Sequence, residues 1–181
     1  MNDSRRQSPR VRTPGLVRHS PALLAFAVAS FITASAVADI RIPGDHPHYS
    51  FELEPEAIFA VQQPLDTSFG VGVRGSIPVL FNGFIPKLNN SVAVTFGFDK
   101  VPLSQGHTYY VPIALQWNFY FERIFSAAGE PGILFTFDDK VRVHPEIWGL
   151  ARLHFNDSVA LVARMSVPET PAFSIGVSFF F

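Results

Sequence analysis

The chain has 181 residues, and its 14 Lys and Arg residues nearly balance its 15 Asp and Glu residues. This balance leaves no basic field that would hold nucleic acid, and the absence of cysteine excludes a disulfide framework and a thiolate zinc site. With 19 Phe, 4 Tyr and 2 Trp, the aromatic content is high for a soluble domain of this length.

The first 38 residues have the three parts of a secretory signal peptide. An apolar run at 22–37 leads into the small-residue triplet Ala36-Val37-Ala38, and five arginines precede it: Arg5, Arg6, Arg10, Arg12 and Arg18. A single membrane anchor is the alternative, but the run is shorter than the ~20 residues that a spanning helix needs. Cleavage after Ala38 would leave 143 residues with nine basic and 14 acidic side chains, a net charge of −5. We therefore predict a signal peptide at 1–38, an N-terminal segment at 39–48 and one domain at 49–181.

The remaining sequence alternates apolar with small or polar residues, which is the period of a β-strand. In 69–77, for example, Phe69, Val71 and Val73 oppose Gly70 and Gly72. Most of these segments have about the length of the ~9 to 11 residues that a tilted transmembrane strand requires, and no helical period is sustained. Eight strands are predicted, at 49–61, 69–77, 92–99, 109–119, 133–137, 145–155, 159–167 and 173–181.

Compact polar breaks separate several of these strands, and two connections are longer. The breaks lie at 66–68, 138–140, 156–158 and 168–171, and the longer connections are expected at 80–90 and 121–132. Four prolines fall inside strand segments: Pro55, Pro78, Pro112 and Pro145. Each removes a ladder hydrogen bond unless it lies at a bulge or a rim.

The charged residues of the strands share one face with the small residues. They form a predicted lumenal network of Glu52, Glu54, Glu56, Arg74, Asp99, Glu146, Arg152 and Arg164. An arginine on a lipid-facing position near the midplane would cost about 2 to 4 kcal/mol, and eight strands enclose an interior barely wide enough for side chains. Buried charges there must pair, and we expect Arg74 to pair with Glu54 or Glu56. The alternative is a cation path or metal site, since the three glutamates lie roughly 7 Å apart on one face.

The last nine residues, 173–181, place Ser174, Gly176 and Ser178 opposite aromatic and β-branched residues and stop on Phe181. This segment resembles the closing strand of small bacterial outer-membrane β-barrel proteins, in which the terminal aromatic is an assembly signal. The resemblance implies an all-β, antiparallel up-and-down transmembrane barrel of about eight strands, like the transmembrane domain of outer membrane protein A. It also implies a bacterial outer-membrane location, with outer-membrane lipids, lipopolysaccharide and the barrel assembly machinery as partners. The expected role is non-enzymatic: structural, adhesive or a very narrow pore, with the lumen plugged by ion pairs and no cofactor.

A soluble periplasmic barrel or sandwich that binds an apolar ligand, as lipocalin-like proteins do, would have the same alternation. It would place the aromatic residues inside and the charges in water, so only the sidedness separates the two hypotheses.

Two histidine patterns are candidate sites. His154, Asp157 and Ser158 are close in sequence, but 156–158 is already explained as a tight turn. The pair His46 and His48 suits a transition metal, but we interpret it as part of a solvated spacer before the first strand.

Overall fold

The structure is a computed structural model that describes residues 40, 42–62, 66–103, 106–167 and 172–181. Eight strands follow in chain order: β1 Glu52–Gln62, β2 Asp66–Leu80, β3 Asn90–Leu103, β4 Gly106–Glu122, β5 Phe125–Phe137, β6 Val141–Asn156, β7 Val159–Val167 and β8 Ala172–Phe180. Each strand pairs antiparallel with its neighbours, and β8 pairs with β1 to close a barrel. The predicted eight-stranded up-and-down barrel is confirmed. The predicted signal peptide, 1–38, lies outside the described residues.

Across the described ranges, no helix is long and apolar enough to cross a membrane.

The two faces of the strands differ in the way that the alternation predicted. In β7, Val162 and Arg164 are buried inside the barrel, whereas Leu161 and Met165 on the other face are 39% and 49% exposed. Most phenylalanines of the strands lie on the outer face, and Phe69 is 57% exposed there. A ligand-binding barrel with inward aromatic residues is therefore the wrong hypothesis for this chain, because its charges are inside and its large apolar side chains outside.

The fifth strand corrects the sequence prediction. The connection expected at 121–132 is a two-residue turn, 123–124, followed by β5, which begins at Phe125 rather than at residue 133. The segment 127–132 is rich in Ala, Gly and Pro, which are depleted in ordinary strands, and its composition therefore favours a loop. In the barrel these residues still alternate, since Ala128 and Glu130 are buried inside while Gly129 and Pro131 face outward.

Interruptions in the sheet accommodate most of the strand prolines. The β1–β8 pairing stops between Leu53 and Glu56, on either side of Pro55. The β3–β4 pairing is likewise interrupted at Pro112, and the β4–β5 pairing at Pro131. Pro78 lies at a register shift between β2 and β3. Because proline has no N–H to donate, each interruption lies where a ladder hydrogen bond is missing anyway.

The two ends of the barrel differ in their connections. We call one end the terminal end, because both ends of the described chain lie there. The connections 81–89, 123–124 and 157–158 are at this end as well. There the backbone N–H of Ser50 donates to the carbonyl of Phe181 at 2.6 Å. The opposite, distal end has four connections of three, two, three and four residues, at 63–65, 104–105, 138–140 and 168–171.

The predicted turns at 138–140 and 156–158 are confirmed, and Asn156 Oδ1 accepts from the N–H of Ser158 at 2.8 Å. The turn predicted at 66–68 is wrong, since β2 already begins at Asp66. The turn predicted at 168–171 lies outside the described residues.

Candidate functional site

A network of buried charged side chains crosses the lumen. All eight charged residues singled out in the sequence lie inside the barrel and are at most 5% exposed: Glu52, Glu54, Glu56, Arg74, Asp99, Glu146, Arg152 and Arg164. Three of them come from β1, because every second side chain of that strand points into the lumen. The network therefore has one acidic wall and arginines on β2, β6 and β7.

Arg152 connects β6 to β1, which is three strands away around the closed sheet. Its Nη2 donates to both carboxylate oxygens of Glu52, at 2.8 and 3.0 Å, and its Nη1 donates to Asn118 Oδ1 at 2.8 Å. The hydroxyl of Ser178 on β8 also donates to Glu52, at 2.6 Å. Both oxygens of the Glu52 carboxylate therefore accept hydrogen bonds, from a guanidinium and a hydroxyl. These bonds offset most of the free-energy cost of removing the carboxylate from water.

Arg164 is the centre of the network. Its Nη1 lies 2.5 Å from Glu54 Oε1 and 3.0 Å from Glu56 Oε2, and its Nε lies 3.2 Å from Glu130 Oε2. The guanidinium thus joins β7 to β1 in one direction and to β5 in the other. The planar fork of five donors makes arginine suited to such shared contacts, which a lysine does not reproduce.

Arg74 pairs with Glu56 rather than with Glu54. Register places Arg74 opposite Glu54, but Arg74 Nε donates to Glu56 Oε1 at 2.8 Å and Nη2 donates to Asp99 Oδ2 at 3.2 Å. Glu54 is held by Arg164. The guanidinium carbon of Arg74 also lies 5.4 Å from the ring centroid of Trp148, a cation–π distance.

The lumen also contains polar groups that the sequence pattern does not single out. Glu130 is fully buried against Arg164, and the low strand propensity of its segment hides its inward parity. Gln116 is also fully buried, with its amide 3.0 Å from the Ser76 hydroxyl and 3.0 Å from Asn118 Oδ1. Its inward parity was visible in the sequence, but an uncharged amide gave no signal that distinguished it from a small lumenal residue.

Aromatic rings and histidines line the terminal end of the lumen. The ring of Tyr49, before β1, lies 4.9 Å from that of Phe180, which in turn stacks on His154 at 5.7 Å. His46 stacks on Tyr120 at 4.6 Å, and its Nε2 lies 2.8 Å from the carbonyl oxygen of Phe81. His46 is 9% exposed and packs at the end of the barrel, so the solvated-spacer interpretation is wrong for His46, whereas His48 is exposed as that interpretation expects.

The structure forms neither a catalytic cluster at His154, Asp157 and Ser158 nor a metal site at the histidines. His154 points into the lumen and its Nε2 lies 2.8 Å from Ser126 Oγ, whereas Asp157 and Ser158 are exposed in the turn. The three groups are therefore not brought together. In the part of the chain that the structure describes, no three histidine or carboxylate side chains are grouped so as to hold a metal ion.

The distal part of the lumen contains a cavity of about 40 Å³. Its floor is formed by charged residues of the network, including Glu56, Arg74 and Asp99, and its walls include Leu134 and Trp148. A cavity of this size has room for a few water molecules.

Comparison with known proteins identifies the fold. A designed transmembrane β-barrel superposes with a TM-score of 0.51 and 9% identity, over 72% of this chain and 95% of that chain. Ail, the attachment invasion locus protein of Yersinia pestis, gives a TM-score of 0.51 with 9% identity over 75% of this chain and 99% of its own. The chain has the fold of a small bacterial outer-membrane β-barrel.

A second designed barrel, TMB2.3, matches with a TM-score of 0.50 and 11% identity over 76% of this chain and 97% of that chain. By sequence, no known family and no curated protein matches the chain. At 9 to 11% identity the likeness lies in the backbone, so the role of the lumen must be argued from its own residues.

Proposed function

We propose that this protein is a non-enzymatic barrel of the bacterial outer membrane whose lumen is closed to ions and solutes by its ion pairs. The main observation is that Arg164 on β7 lies 2.5 Å from Glu54 on β1 and 3.2 Å from Glu130 on β5, so that ion pairs link two strands on opposite sides of the barrel. A solute that passes through an eight-stranded barrel has to displace these side chains, since the interior has little other space.

The exterior supports the membrane part of this proposal. At the outward-facing strand positions whose side chains the structure describes, Lys100 is the one residue with a full charge. It lies three residues before the distal end of β3, and its Nζ is 6.0 Å from the ring centroid of Tyr109. A barrel in a bilayer whose hydrocarbon core is about 25 to 30 Å thick needs an apolar outer belt, with charged residues near its edges. The outer face of this barrel has that distribution.

An adhesive role receives less support than a structural one. The name of Ail describes attachment and invasion for that protein. In this chain the distal connection that the structure describes, 138–140, has three residues, and so short a connection is far smaller than the roughly 20 to 30 residues of a standard protein interface. The structural role is therefore the one that we favour.

The same proposal includes the partners expected from the sequence. Outer-membrane lipids and lipopolysaccharide would cover the apolar belt, and the barrel assembly machinery would read the C-terminal strand. This is supported by β8, in which Phe173, Ile175 and Phe179 face outward and are 38 to 43% exposed while Ser174 and Ser178 face the lumen.

The experiment that tests closure is single-channel recording in planar lipid bilayers, with folding checked by the difference in gel mobility between unboiled and boiled protein. We expect the unmodified barrel to show a mobility shift and no conductance steps. Arg164→Met should introduce steps, because Glu54, Glu56 and Glu130 lose a common partner and repel one another.

The matched control is Arg142→Met, since Arg142 is an exposed arginine paired with Asp138 beside the distal turn. It should remain silent in the bilayer. Steady conductance of the unmodified barrel, equal to that of Arg164→Met, would show that the ion pairs do not close the lumen.

A further inference from the structure

The segment before β1 is attached to the terminal end of the barrel through a histidine. His46 is 9% exposed, and its ring stacks on that of Tyr120 of β4, with 4.6 Å between the centroids and 13° between the planes. The side-chain amide of Asn89 holds the same segment, because it donates to the carbonyl of Asp45 at 2.7 Å. We call residues 42–49, which these contacts attach to the barrel, the strap.

Both ring nitrogens of His46 face backbone carbonyl oxygens. Nε2 lies 2.8 Å from the carbonyl oxygen of Phe81, and Nδ1 lies 3.1 Å from that of Pro47. A carbonyl oxygen only accepts hydrogen bonds, and a neutral imidazole has one N–H donor, whereas an imidazolium has two. The protonated ring therefore satisfies both contacts, and the neutral ring leaves one of them without a proton.

The surroundings of His46 also favour a positive ring. In the part of the chain that the structure describes, five titratable or charged residues line a cavity of about 420 Å³ with it: Asp45, His48, Tyr120, Arg123 and Asp157. Two carboxylates thus face one guanidinium, whose side chain is 81% exposed and 3.4 Å from Asp45. The ring of His48 is 5.3 Å away but exposed, so water and salt screen any charge on it. A cation at His46 balances the carboxylates and lies on the face of the Tyr120 ring, which attracts it.

We propose that the strap is a pH-sensitive closure of the terminal end, which protonation of His46 tightens. The proton supplies the second N–H donor and places a cation on the Tyr120 ring, whereas in a released strap water bonds to either form of the imidazole. The attached state therefore binds the proton more tightly than the released state does. Attachment is strongest in mild acid and weakens as the pH rises through the range in which histidine loses its charge, between about pH 5 and 8. This goes beyond closure of the lumen by ion pairs, because it assigns a separate device to the terminal end.

The test measures hydrogen exchange of the full-length barrel, folded in detergent and checked by its gel shift, at about pH 5 and about pH 8. Protection factors are compared, so that the intrinsic effect of pH on exchange is removed. Two amides report on the strap: that of Asp45, which donates to Ile42, and that of Asn89, which donates to Ile40. Their protection should be about fivefold higher in acid, the effect of one hydrogen bond. Protection in the distal turn 138–140 should not change.

The decisive variant is His46→Gln, whose amide can still donate to the carbonyl of Phe81 but takes up no proton in this pH range. It should lose the dependence on pH. The matched control is His48→Gln, which removes the exposed histidine of the same segment and should retain the fivefold change.

A second measurement uses the unmodified barrel. In NMR spectra recorded at about pH 5, both N–H groups of the His46 ring should be protected from exchange with water, whereas those of His48 should not. Equal protection of the strap at the two pH values, a dependence on pH that survives in His46→Gln, or a His46 ring with only one protected N–H would overturn the proposal. Conductance does not enter this test, so closure of the lumen by ion pairs is decided separately.

Discussion

At the terminal end of the lumen the rings of Tyr49, His154 and Phe180 pack against one another, whereas at the distal end Leu134 and Trp148 line a cavity of about 40 Å³. The difference follows from the chain around the barrel. Residues before β1 reach into the terminal end, whereas the distal connection that the structure describes, 138–140, is exposed. Closure toward the distal side therefore depends on the ion pairs in the middle.

The largest effect is expected where the ion pairs meet. Arg164→Met removes the common partner of three buried carboxylates, and it should lower the free energy of unfolding by about 3 to 5 kcal/mol, the cost of leaving buried charges without a partner. The measurement is urea unfolding in lipid vesicles. Arg142→Met, at an exposed pair, should change the free energy by less than about 1 kcal/mol. Equal effects of the two variants would mean that water reaches the middle of the lumen.

The ring packing at the terminal end should contribute slightly less. Phe180→Ala removes the contacts with Tyr49 and His154 and should cost about 3 kcal/mol, the lower part of the range for truncating a buried phenylalanine. Its neighbour Phe179 faces the lipid and is 38% exposed, so Phe179→Ala is the matched control and should cost less. A larger loss in Phe179→Ala would show that lipid contact outweighs ring packing at this end.

The connection 81–89 gives a test confined to the terminal end. The side chain amide of Asn90 donates to the carbonyls of Ile85 and Leu88, both at 2.8 Å, and its oxygen accepts from Trp117 Nε1 at 3.0 Å. Asn90→Ala should cost about 2 kcal/mol, since it removes these three partly buried hydrogen bonds, each worth roughly 0.5 to 1 kcal/mol. Hydrogen exchange should accelerate in 81–89 and remain unchanged in 138–140. Faster exchange at both ends would contradict a local effect.

The smallest effect is expected at the distal turn, where the pKa of Asp138 is lowered by the backbone N–H of Lys140 and then by Arg142. A carboxyl whose pKa is lower in the folded state stabilises that state above its ordinary pKa and loses this contribution as the pH falls through the lowered value. The stability difference between the unmodified barrel and Asp138→Asn should therefore be present at neutral pH and vanish in strong acid. Unfolding midpoints measured across this pH range check it, and a constant difference would exclude the linkage.

The amino-acid sequence by itself determined the class of fold and the sidedness of the strands. Alternation in segments such as 159–167 is a local property of the pleated backbone, because successive side chains point to opposite faces wherever the strand pairs. The position of Arg164 and Glu54 inside the barrel could be predicted for that reason. The start of β5 could not, since Ala127 to Gly132 have low strand propensity and are held in the sheet by pairing with β4 and β6.

Only the tertiary structure decided which charges meet and where the lumen stays open. Arg152 and Glu52 are 100 residues apart in the chain, and their contact depends on the closure of the barrel and on its stagger, which no local pattern encodes. The same holds for the packing of Tyr49 against Phe180 and for the distal cavity. Parity places a side chain inside, but the register of all eight strands decides what it touches.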